Sequence, residues 1–176
     1  FGKSSIPPTQ RSIIIKHWKN GLGLYILGDN DPFYEDANLL LRDMYPGLDI
    51  KMSGNYPGQR KVTLDPSECP MGGYINEDYL TTGILNCYCG YTVAKLENTK
   101  LIPGFVNVMY ERKDVLVLGY APANDEYGPV VLSGAFTTFY HELDTPGSRR
   151  LVENCIAFLS TRIEDPTPSV DLADFS

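Results

Sequence analysis

Apolar positions along the chain switch between helical and strand spacing several times. Ile14, Ile15 and Trp18 share one face of a helix predicted over residues 11–20, and Gly21 supplies its stop. Leu22 to Leu27 then form an apolar run of strand length, read as a buried strand that ends abruptly at Gly28-Asp29-Asn30. After it Phe33, Ala37, Leu40, Leu41 and Met44 recur at helical spacing as one apolar face. Asp31 is placed to cap that helix and Pro32 to open it. Glu35 and Asp36 lie in the first turn beside the positive end of the dipole, and Pro46-Gly47 ends it.

Residues 48–80, rich in Gly, Pro, Tyr and Asn, read as a β-rich surface excursion with one strand near Lys61 to Leu64. β-Branched and aromatic residues favour strands across 83–96, with a break at Gly90. They do so again at Val106 to Tyr110, Val115 to Tyr120 and Val130 to Ser133. Near the end Thr145 can cap and Pro146 can open a last helix. Its stripe is Leu151, Val152, Cys155, Ile156, Leu159 and Ile163. The expected organisation is an extended linker over 1–10, where Pro7-Pro8 blocks helix, one α/β domain over 11–163, and an extended tail over 164–176. Helices flanking a run of strands predict a three-layer α/β sheet.

Charge removes several function classes. The 176 residues carry a net charge of −7, and no basic cluster exceeds Arg149-Arg150, so neither nucleic acid nor an anionic membrane is expected as a partner. No apolar run approaches the roughly 20 residues of a membrane span. The chain opens on Phe1 rather than Met, which reads as a fragment or a processed product. Its four cysteines are Cys69, Cys87, Cys89 and Cys155. Cys87 and Cys89 are two apart and point to one face of a strand, so they do not pair with each other; free buried thiols are the expectation, with a lean toward the cytoplasm. No second close Cys or His pair completes a zinc site, and neither a metal nor a cofactor is expected.

Three stretches carry a resemblance: GLGLYILGDNDPFYEDANLLL, TTGILNCYCGYTVAKL and GPVVLSGAFTTFYHELDTPGSRRLVENCIAFL. Together, over about two thirds of the chain, they resemble the class I glutamine amidotransferase-like superfamily. The nearest branch is that of the non-enzymatic domains found beside von Willebrand A-type modules and in related ThuA-like and ciliary-transport proteins. The resemblance implies a flavodoxin-like sheet. It also implies that the superfamily's first strand–helix–strand unit is missing, since the ten residues ahead of Arg11 hold no counterpart. The sheet would then be incomplete, with an open edge.

Catalysis in that superfamily uses a Cys on a Gly-x-Cys-x-Gly elbow with a His followed by Glu. Cys87, Cys89, His141 and Glu142 are the pieces available for a Cys-dependent amidase. However, neither Cys has a glycine two residues before it, and strand rather than helix follows. Asp29 and Asn30 are the other candidates. They could bind a sugar or a cation, or simply satisfy backbone donors at a strand end, while Asp31 is accounted for by capping. Tyrosine is frequent, 12 residues, and Tyr56, Tyr74 and Tyr79 in the irregular middle suit either a protein interface or local cover. The reading is a non-catalytic interaction or assembly domain. Its partner would be another protein or the missing N-terminal segment of the same one.

Overall fold

The fold is seen in a computed structural model that describes residues 6–58, 61–69, 71–140 and 146–161. Helix α1 spans Pro8–Lys19, earlier than the sequence suggests. Pro8 opens this helix, since a proline in the first turn gives up an N–H that would have no partner there. Strand β1 (Leu24–Leu27) follows, then helix α2 (Glu35–Met44). Asp31 does not cap α2: Tyr34 is the flanking residue and contributes no side-chain cap. Residues 31–34 instead make turns in which Asn30 O accepts from Phe33 N–H and Pro32 O from Glu35 N–H, at 2.8 and 3.3 Å. That detour swings Phe33 off the helix face and leaves its side chain exposed, while Ala37, Leu40, Leu41 and Met44 are buried as expected.

The middle of the chain forms short strands: β2 (Lys51–Pro57), β3 (Val62–Thr63), β4 (Tyr74–Ile75), β5 (Asn86–Cys87) and β6 (Thr92–Glu97). Longer ones follow, β7 (Val106–Arg112), β8 (Val115–Ala121) and β9 (Val130–Ser133), then a single turn α3 (Thr137–Tyr140) and α4 (Pro146–Ser160). Gly90 lies in the gap between β5 and β6, as the break in the pattern indicated.

The main sheet has the order β1-β9-β8-β7-β4. Only β1 and β9 are parallel; β9 with β8, β8 with β7 and β7 with β4 are antiparallel. The three-layer flavodoxin-like sheet expected from sequence is therefore corrected to a mixed, mostly antiparallel one. Connection length is the cause. Only Lys113 and Asp114 separate β7 from β8, and a helix-free loop joins β8 to β9, whereas parallel neighbours need a crossover of a dozen residues or more.

Both faces of this sheet are buried. Along β9, Val130 and Leu132 face the cluster built on Trp18, Leu41 and Met52, while Val131 faces the one holding Leu151, Cys155 and Phe158. Helices α1 and α2 with the β2–β6 pair thus cover one face, and α4 with the β3–β5 pair the other. Two anchors fix the first face. Trp18 donates its indole N–H to Gly128 O at 2.8 Å and stacks on Tyr127 with ring centroids 4.4 Å apart. Asn38 of α2 clasps β2, its Nδ2 donating to Met52 O and its Oδ1 accepting from Met52 N–H. At the end of β9, Gly134 donates to Val117 O and accepts from Ala94 N–H, tying β6 to the sheet. A Cβ on Gly134 would collide with the Ala94 carbonyl, so the approach requires glycine.

Candidate functional site

Among the described residues β1 is paired on one side only. Its Leu24 N–H donates to Pro129 O, and Gly28 N–H at its exit donates to Ser133 O, both toward β9. The two-residue alternation of a strand then turns the backbone groups of Tyr25 and Leu27 the other way, where no strand of the described residues pairs with them. The Tyr25 side chain anchors this strand to the interior. The Tyr25 ring makes an edge contact with Phe139 at 5.3 Å, and its hydroxyl reaches Ser133 and Cys155. β2, also paired on one side, differs in that Asn38 already occupies the Met52 backbone.

Where β1 ends, Asp29 and Asn30 take different roles. Asn30 is structurally committed: its Oδ1 accepts from the Thr92 hydroxyl at 2.6 Å, and its Nδ2 donates to Asp31 O. It ties the exit of β1 to β6. Among the described residues Asp29 accepts only from the Asn30 backbone N–H, at 2.9 Å. Burial pushes its carboxyl above the usual range, and that single hydrogen bond offsets the shift only in part. Asp31 accepts from the Tyr34 hydroxyl. Among the described residues no Lys, Arg or His forms an ion pair with Asp29, Asp31 or Glu35.

Two exposed phenylalanines are tied to this exit through their backbones, and an exposed tyrosine precedes Thr92, the partner of Asn30; the apolar patterning did not mark the phenylalanines as a surface. Phe136 donates its N–H to Gly28 O and is 44% exposed. Phe33 donates to Asn30 O and is 62% exposed; Tyr91 donates to Thr137 Oγ1 and is 50% exposed. Exposed aromatics near carboxylates that form no ion pair among the described residues are the kind of surface that marks a contact site.

The remaining candidates are dispersed. Tyr74 stacks on Tyr110 across the β4–β7 pair at 4.6 Å, Tyr56 lies under the Arg112 guanidinium at 5.9 Å, and Tyr79 packs beside Phe158 of α4. Tyr56 and Tyr74 thus adjoin β7, and Tyr79 does not. Only Tyr79 of the three is largely exposed.

All four cysteines are buried and free. Cys87 Sγ lies 3.3 Å from Met109 Sδ, and burial pushes the thiols of Cys87 and Cys155 up to about 12. Cys89 is raised further, first by burial and then by Glu111, which is itself fully buried. A nucleophilic cysteine needs the opposite shift. His141 and Glu142, the other half of the amidase reading, lie outside the described residues. Among the described residues no three His, Cys, Asp or Glu side chains group to hold a metal ion, and no helix is long and apolar enough to cross a membrane.

No protein-family model matches this chain, and no curated protein matches it in sequence. Among solved structures it is similar to the "mmIFT52 N-terminal domain", with a TM-score of 0.64 and 12% identity, covering 89% of this chain and 72% of that one. At that identity the likeness concerns the fold alone. The glutamine amidotransferase-like assignment is accordingly corrected: no family model supports it, and only the β1–β9 pair of the main sheet is parallel, where a flavodoxin-like sheet would be parallel throughout.

Proposed function

We propose that this chain is a non-enzymatic protein-interaction module whose β1 edge takes up a strand supplied by a partner. The observation that carries this reading is the one-sided pairing of β1 in a sheet otherwise buried on both faces. An unpaired edge presents a row of donors and acceptors, and strand addition satisfies them while covering apolar surface. The raised thiols and the dispersed tyrosines favour binding over catalysis, and Asp29 then marks the end of the bound strand rather than a reaction centre.

Amide hydrogen exchange tests the proposal. Tyr25 and Leu27 amides should exchange quickly in the isolated chain and become protected in the native assembly. Protection already present in the isolated monomer would show that the edge is not free. Fast exchange persisting in the assembly would show that nothing pairs with it. Leu27→Pro offers a second check, because it removes an outward donor and leaves the ladder to β9 intact. It should weaken assembly with little loss of monomer stability.

A further inference from the structure

The partner strand's chemistry can be read from the surface onto which the free edge opens. We infer that the strand added to β1 carries an arginine, whose guanidinium sits against Asp29 and Asp31 and is flanked by the exposed rings of Phe33 and Phe136. This rests on the edge-pairing reading above. A strand extended along β1 in either direction passes the exit of β1, where it meets a half-buried carboxylate with a raised pKa and no cation among the described residues. Asp31 and, one turn on, Glu35 add negative charge there, on a chain whose net charge is already −7. A bound cation would compensate the burial of Asp29.

The rings decide which cation. Phe136 and Phe33 are fastened by their backbone N–H groups to Gly28 O and Asn30 O, the residues on either side of Asp29, yet the two residues are 44% and 62% exposed. A guanidinium can take a carboxylate through two parallel N–H donors while its flat face lies on an aromatic ring. An ammonium supplies the charge without that plane, and a neutral amide supplies neither. The basic groove between α1 and α2, with Lys16, Lys19 and Arg42, has the wrong sign for the same partner residue.

The test titrates the isotope-labelled protein with soluble eight-residue peptides of alternating Thr and Val. Each peptide bears one variable residue, Arg, Lys, Gln or Glu, near either end, and amide shifts are read at low and at moderate salt. The Arg peptide should bind about tenfold more tightly than the Gln peptide, with Lys between them and Glu weakest. The Arg–Gln gap should fall to about twofold or less in the double variant Asp29→Asn, Asp31→Asn, and the Arg–Lys gap should close in Phe136→Leu. If Tyr25 and Leu27 amides shift equally with all peptides, edge pairing survives and the arginine inference is overturned. If Arg-selective shifts appear at Asp29 and Phe136 but never at Tyr25 and Leu27, arginine recognition stands and strand addition fails. Silence at both places overturns both.

Discussion

Raising the pH from 8 to 10 should weaken this fold, because its thiols are buried in the protonated form. Cys87 and Cys155 are pushed from 9.0 to about 12, and Cys89 is also raised. Between those values the unfolded chain has released each proton and the folded chain still holds it. The folded state therefore binds more protons, and stability is lost as pH rises through the window. For Cys87 and Cys155 the loss between pH 9 and pH 10 is about 1 kcal/mol each, hence about 2 kcal/mol together, and Cys89 adds to it in the same direction. With an m-value of about 2 kcal/mol per molar, urea midpoints should fall by about 1 M or more over that single pH unit. Urea unfolding followed by circular dichroism at pH 8, 9 and 10, under reducing conditions, measures it. Cys155→Ala supplies the control: it should cost about 1 kcal/mol at pH 7 and remove about 1 kcal/mol of the alkaline fall. Equal midpoints at pH 8 and pH 10, or an unchanged slope in the variant, would refute the buried-thiol account.

The same burial predicts slow native alkylation of Cys87 at pH 8, where its thiolate fraction is on the order of one in ten thousand; complete iodoacetamide labelling within seconds would contradict it. Asn38→Ala strips the two partners from Met52 and should cost about 2 kcal/mol in urea unfolding, with a tendency to self-associate through the newly bared β2 edge. Trp18→Phe keeps most of the stacking on Tyr127 but orphans the Gly128 carbonyl, so a loss of about 1–2 kcal/mol is expected by calorimetry. Gly134→Ala should destabilise by about 2 kcal/mol or more, since the added methyl meets the Ala94 backbone rather than a movable side chain; near-wild-type stability would mean that β6 can shift.

Local pattern and chemistry were sufficient for much of the chain. The apolar stripe Ala37, Leu40, Leu41 and Met44 specified α2, the run before Gly28 specified β1, and four buried, unpaired cysteines are where their spacing and apolar settings put them. These features depend on residues within a turn or two of each other, so the sequence displays them directly. Strand partners are different. Whether β9 lies parallel to β1 or beside another strand depends on contacts more than a hundred residues apart, and the short β7–β8 link outweighed the three-layer pattern that the helices suggested. The fate of GLGLYILGDNDP shows the same division. Its strand was legible, but Asp31 lost its expected cap because residues 31–34 turn outward, and Asn30 was claimed by Thr92, 62 residues away. Only the tertiary structure left Asp29 half-buried beside two exposed phenylalanines and, among the described residues, without an ion-pair partner, because burial and exposure are properties of what packs alongside a residue and not of the residue itself.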